Sequence, residues 1–371
     1  MKAKYLKPQP LVKQSYQHLK RRLFDRKSLI LSEQLPYQVI AHFDKATVRH
    51  YPAKHHQQQR IPLVLVAPLA VKMAIYDLFP YRSLVRHLTD SGFDVYLIDW
   101  GQLNRNDADL DFNYFVFQAL PALIKDIKRY ANYDEISLQG WSMAGVFCLL
   151  YAASGLDQGI RNLLIFASPV DAYASGRIGL GYQLANRLIE QSPLPLQQIL
   201  LLKHLPNRII HSPGKLNALG FKLLNPLGIL QGHLQLLKRL SNLEDVKSHA
   251  TLGDFLNDMI DYPGAINRDM LLWIWLKNPL NQGKFSYKDR ALDLNNIKCS
   301  LLIGAGDSDG MVTPASVRPL THLTSSQDVC FKLIPGGHMG LMCSQASSIQ
   351  FWPFLTNWLE QRSMISQHHQ V

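Results

Sequence analysis

The chain has 371 residues, 47% of them hydrophobic and 18% charged, enough apolar material for a sizeable core in one large or two modest domains. Its 39 Lys and Arg outnumber its 28 Asp and Glu, for a formal net charge of +11. No zinc-finger spacing and no basic repeat interleaved with aromatics accompanies that charge, so no nucleic-acid readout is predicted.

The apolar runs, such as "MLLWIWL" at 270–276, stop well short of the roughly 18–20 residues that span a bilayer. The N-terminus is basic and lacks both the apolar stretch and the small-residue cleavage site of a signal peptide, so a cytoplasmic protein is expected. Residues 1–36 read as a basic arm: through residue 27 nine cations, among them Lys13, Lys20, Arg21 and Arg22, face one acid, Asp25. A solvated basic helix is the expectation for this arm, and an anionic membrane surface is the functional alternative. Cys148, Cys299, Cys330 and Cys343 have no CxxC spacing; they are expected to be reduced, with neither a disulfide framework nor a zinc site.

Taken in chain order, "YQVIAHF" and "ATVRHYPA" flank "DKA" and read as a hairpin. "IPLVLVAP" is a short apolar β-branched run, as in a strand buried on both faces. "YRSLVRHLTDSG" has helical spacing and stops at Gly92, and "FDVYLIDW" is the next strand. The amphipathic helix "YFVFQALPALIKDIKRYA", the strand "EISLQG", the helix "GVFCLLYAAS" and the strand "NLLIFASPV" follow. Such alternation calls for an α/β fold, a mostly parallel sheet with helices on both faces. From 171 to 293 the sequence turns Leu-rich and helical, with no strand expected. "IKCSLLIGAG", "PASVRPLTHL", "DVCFKLIPGG" and "ASSIQFWPFLTNWLEQR" then restore strand, helix, strand and helix. The expected organisation is a core of residues 37–170 and 294–371 with a helical cap, 171–293, inserted between two of its strands.

The stretch "LQGWSMAGVF" at 138–147 puts Ser142 at the end of a strand and the start of a helix. A serine hydroxyl needs a base to attack, and it must be presented on a sharp turn whose crowded backbone demands small neighbours. Gly140, Ala144 and Gly145 supply them, and the following helix directs the Met143 N–H toward the site as an oxyanion donor. The remaining members of such a relay follow in the order acid, then histidine, each in a loop after a strand. "DSDGMVTP" offers Asp309, favoured by the G-x-x-D-x-x-V spacing of "GDSDGMV", with Asp307 in reserve, and "GGHMG" offers His338. A second oxyanion N–H is expected near Ala70, in the loop after the first parallel strand.

The bland alternatives are a serine that merely closes a turn, a histidine satisfied by backbone, and a calcium-type loop at "DSDG". That loop lacks a third ligand and the closing glutamate. "NRNDADLD" at 104–111 and the pairs His55–His56 and His368–His369 read as solvated. No metal or organic cofactor is expected.

Residues from about Tyr37 to Leu359 resemble the polyhydroxyalkanoate synthases, most closely the short class III catalytic subunits. The stretches that carry the likeness are "PLVLVAPLAVKMAIYDLFPYRSLVRHLTDSGFDVYLIDWG", the segment around Ser142, "IRNLLIFASPVDAY" and the Asp and His loops. The resemblance implies an α/β-hydrolase core with a cap, and an enzyme that passes hydroxyacyl groups from coenzyme A onto a nucleophile and then onto a polyester. It places the nucleophile on Ser142, the acid on Asp309 and the base on His338.

The chain departs from the family pattern at four positions. Ser142 stands where the family has cysteine and Ala144 where it has glycine, while Val71 replaces an asparagine and Gly310 a histidine. A thiolate attacks and leaves better than an alkoxide. The serine therefore favours hydrolysis of an acyl ester or acyl-coenzyme A thioester over chain growth. Polymerisation with a partner subunit or as a homodimer is the rival reading. A non-catalytic protein bound to a membrane or polyester granule through the basic arm is the other.

Overall fold

The computed structural model describes residues 10–32, 35–55, 60–69, 71–202, 205–224 and 226–364, without the side chains of 10, 221, 224, 226–229 and 231. Eight strands form the main sheet: β1 (Gln38–Phe43), β2 (Ala46–Tyr51), β3 (Leu63–Val66), β4 (Val95–Asp99), β5 (Ile136–Trp141) and β6 (Ile160–Phe166), then, beyond a separate hairpin of β7 (Lys284–Tyr287) and β8 (Arg290–Asp293), β9 (Ser300–Gly306) and β10 (Val329–Ile334). Their order is β1-β2-β4-β3-β5-β6-β9-β10. The hairpin β1–β2 joins β4 antiparallel, and from β4 to β10 every neighbouring pair is parallel.

Side-chain parity on β3 shows why this sheet is covered twice. Val64 and Val66 pack into one core with α4 (Met143–Ala153) and α3 (Leu120–Ala131). Leu63 and Leu65 pack into the other with α2 (Leu84–Asp90) and α9 (Trp352–Glu360). All four residues are buried, so an unbroken apolar run, rather than an alternating one, is what this position requires. Ser83 starts α2 by accepting from the Arg86 N–H at 3.1 Å. Asn132, in the left-handed region at φ 56°, ends α3. Every residue of α4 is buried, which explains why its sequence has no polar face.

Between β6 and β9 lie α5 (Gly176–Glu190), α6 (Gly214–Leu224), α7 (Pro226–Lys238) and α8 (Leu243–Asn257), with short helices at Leu194–Leu200 and Asn207–Ile210 and a π-helical turn over Asp269–Leu276. The hairpin β7–β8 corrects the expectation that this stretch holds no strand. Its strands are four residues each and rich in charge, yet Phe285 and Tyr287 alternate with polar neighbours. Tyr287 is buried against Phe112 and Trp273 and donates its hydroxyl to Asp269 at 2.7 Å. Packing against those rings stabilises a pair of strands too short to stand alone.

The described part of the N-terminal arm, α1 (Pro10–Phe24) and the turn after it, does not float free. His18 Nδ1–H donates to the Leu240 carbonyl, and an Arg22 Nη2–H donates to His249 Nδ1, both at 2.8 Å. Leu29 joins Leu236, Val246 and Ala250 in a small third core. The other side of α1, with Leu11, Val12, Tyr16, Leu23 and Phe24, is exposed. All four cysteines are free. Among the described residues no helix is long and apolar enough to cross a membrane.

Candidate active site

β5 ends at Trp141, and the chain turns at Ser142 with φ 59° and ψ −127° before α4 begins at Met143. A non-glycine residue there costs on the order of 1–3 kcal/mol, and the neighbours hold it in place. The Ser142 N–H donates to the Phe166 carbonyl at 2.8 Å, and the Ser142 carbonyl accepts from Gly145 at 3.0 Å and Val146 at 3.3 Å. The glycines are required by space. A Cβ on Gly140 would stand 2.5 Å from the Ala144 carbonyl oxygen and 2.6 Å from the Gly145 Cα. One on Gly145 would meet the Ser168 hydroxyl oxygen at 1.8 Å. Ala144 is wholly buried within α4, so its methyl occupies core space rather than the turn.

The loops after β9 and β10 bring two more side chains to this turn. Asp309 is buried, and its Oδ1 accepts the backbone N–H groups of Met311 (2.9 Å) and Val312 (3.0 Å). Its Oδ2 is left to accept from His338 Nδ1 at 2.7 Å. The carboxylate is an acceptor only, so it fixes the tautomer: Nδ1 carries the proton and Nε2 presents a lone pair. Ser142 Oγ lies 2.9 Å from that Nε2. The Trp141 ring, 5.4 Å from the imidazole centre, walls the ring on one side.

Asp307 does a different job. Its Oδ1 accepts the Gly336 N–H at 2.9 Å, tying the β9 loop to the turn that carries His338, and Gly336 sits at φ 114°, where a side chain would be strained.

Met143, the first residue of α4, places its N–H at the positive end of an eleven-residue helix. Ala70 lies outside the described residues. Its neighbours Pro68 and Val71 line a cavity of about 160 Å³ that opens onto Ser142 and His338. Tyr262, Met270 and Trp275, from the segment before the β7–β8 hairpin, and Met311 and Val312, from the Asp309 loop, close its other sides. Among the described residues no Asp, Glu, Lys or Arg lines it. The Tyr262 hydroxyl points to Met143 Sδ at 3.0 Å. Sequence reasoning missed Tyr262, before a Pro-Gly turn signal, and Met270 and Trp275, within the π-helical turn, because none of them belongs to a motif.

The nearest cysteine in sequence to Ser142, Cys148, is fully buried, and burial pushes its thiol well above the ordinary range. It is therefore not a substitute nucleophile.

A parallel sheet with helices on both faces and a serine, histidine and aspartate meeting at its strand ends defines the class. The alpha/beta hydrolase fold family model matches residues 73–343, and the chain belongs to that family. Within it the chain is homologous to the polymerase subunits of polyhydroxyalkanoate synthesis. It is 27% identical to the poly(3-hydroxyalkanoate) polymerase subunit PhaC of Haloferax mediterranei, over 88% of this chain, and spans 64% of that protein's length. It is 26% identical to the PhaC of Allochromatium vinosum, over 88% of this chain and 89% of that one. Among solved structures, monoglyceride lipase from Saccharomyces cerevisiae shares the fold at a TM-score of 0.59 and 16% identity, covering 90% of this chain and 97% of its own. A monoacylglycerol lipase from Paleococcus ferrophilus does so at 0.52 and 17%, covering 86% and 99%.

Proposed function

We propose that this protein is a polyhydroxyalkanoate synthase-like serine acyl-transfer enzyme that works on hydroxyacyl esters or thioesters through an acyl-Ser142 intermediate. The observation that carries the reading is the hydrogen-bonded line from Ser142 Oγ to His338 to Asp309 at the mouth of an apolar cavity. Ser142 Oγ attacks the substrate carbonyl while His338 Nε2 takes its proton, and Asp309 steadies the imidazolium. The Met143 N–H and a backbone N–H near Ala70 hold the oxyanion. The tetrahedral adduct collapses and expels the alcohol or the coenzyme A thiol, which leaves with the proton from His338. Water then attacks the acyl-serine with the same imidazole as base, returning the free serine and releasing a carboxylic acid. Neither a metal nor an organic cofactor enters these steps.

Hydrolysis is favoured over chain growth because an oxygen ester hands its acyl group on less readily than a thioester does. The second reading, polymerisation with a partner subunit or a second copy, is supported by the homology to polymerase subunits. Supplying 3-hydroxybutyryl-coenzyme A separates the two: free 3-hydroxybutyrate is expected, and insoluble polyester overturns hydrolysis in favour of synthesis. A fluorophosphonate probe is expected to label the protein but not its Ser142→Ala variant. Absence of labelling, or labelling that survives the substitution, leaves a non-catalytic binding protein.

A further inference from the structure

The cap helices carry apolar side chains that no described residue covers. Among the described residues thirty large hydrophobics are exposed, and fifteen of them fall within residues 176–242, all of them Leu or Ile. Scattered exposed leucines need no explanation, but half of them crowded into under a fifth of the chain do. Their spacing is helical: Leu180, Leu184 and Leu188 on α5, then Leu216, Leu219 and Leu223 on α6, and Leu230, Leu234 and Leu237 on α7, each about half exposed or more. The inner sides of α6 and α7 are spoken for, since Ala218 and Leu236 are buried and both helices, like α1, contact α8, while α5 packs on the π-helical turn Asp269–Leu276.

The same 67 residues hold eight Lys and Arg against a single acid, Glu190. Arg177, Arg187, Arg208, Lys215 and Lys238 enter no ion pair among the described residues. α1, docked on the same group of helices, adds Lys13, Lys20 and Arg21 with no acid and an exposed apolar side of its own.

We infer that this leucine-and-cation face of the cap seats the protein on an anionic phospholipid bilayer. Helices with an apolar stripe bordered by Lys and Arg lie in the interface plane, leucines in the acyl boundary and cations among the headgroups. A second copy of the chain suits the surface less well, because a two-fold contact would set these cations against the same cations. Nucleic acid would meet the charge but leave the leucines in water. The inference stands apart from the role of Ser142, since none of these residues lines the cavity.

The full-length chain is to be floated with vesicles of equal phosphatidylglycerol and phosphatidylcholine, and with vesicles of phosphatidylcholine alone. At least tenfold stronger partition onto the anionic vesicles is expected, weakened by 0.5 M salt. L184S/L219S/L234S and R187Q/K215Q/K238Q are each expected to lower that partition at least tenfold while keeping the wild-type circular dichroism and melting temperature. Equal partition onto neutral vesicles, or full binding by the leucine variant, overturns the inference. So does a wild-type dimer in sedimentation that the leucine variant dissolves, with no vesicle binding, because the face would then be occupied by a second copy. Binding to poly(3-hydroxybutyrate) particles without binding to phosphatidylglycerol overturns it as well.

Discussion

Asp307 and Asp309 leave the same strand two residues apart and meet different atoms, the Gly336 N–H and the imidazole of His338. The distinction gives opposite expectations under the proposed mechanism. Asp309→Asn keeps the shape but offers an amide that no longer fixes the Nδ1–H tautomer, and kcat is expected to fall by about 10⁴-fold. Asp307→Asn retains an acceptor oxygen for Gly336 and is expected to stay within about tenfold of wild type, since only positioning is disturbed. Steady-state hydrolysis of an activated ester by both variants decides the matter, and equal losses would sink the assignment. That Ser142, Asp309 and His338 meet was legible because each follows a strand and has glycine within two residues, and for Ser142 that glycine answers a constraint of backbone space. Tyr262, Met270 and Trp275 were not, because they reach the cavity by packing, and packing leaves no fixed spacing.

At the scale of elements, the turn between β5 and α4 is tightly constrained by its glycines. Gly140→Ala would drive a methyl into backbone atoms of Ala144 and Gly145 that cannot rotate away. A loss of about 1–3 kcal/mol is expected, as for other overpacked sites, read as a lowered melting temperature. The docking of α1 should depend on pH. Burial, and after it the nearby Arg22 charge, lower the His249 pKa to about 4 from its ordinary 6.5. The folded state thus holds this ring neutral, while the unfolded chain binds a proton more readily. The stability it contributes is full above about pH 6.5, declines as the pH falls, and is gone below about 4. Hydrogen-exchange protection across α1, taken relative to the intrinsic rate at each pH, should fall over that window in the wild type and change less in His249→Gln. The alternating strands and helices of 61–170 were readable because burial on both faces demands unbroken apolar runs. The hairpin β7–β8 was not, because Phe285 and Tyr287 find their rings only in the folded molecule.

Across the whole molecule, the sheet order places β5 at the centre, between β3 and β6, and puts β9 and β10 on the side away from the N-terminal hairpin. Ser142 and the imidazole that meets it are 196 residues apart in the chain. Synthesis proceeds at roughly 5–20 residues per second, so about 10–40 s separate the emergence of the hydroxyl from that of the imidazole. During that interval β1 to β6 can begin to pair, yet the hydroxyl has no imidazole beside it. Under the proposed mechanism the serine therefore stays unarmed through most of synthesis, and arming waits on the last two strands of the sheet.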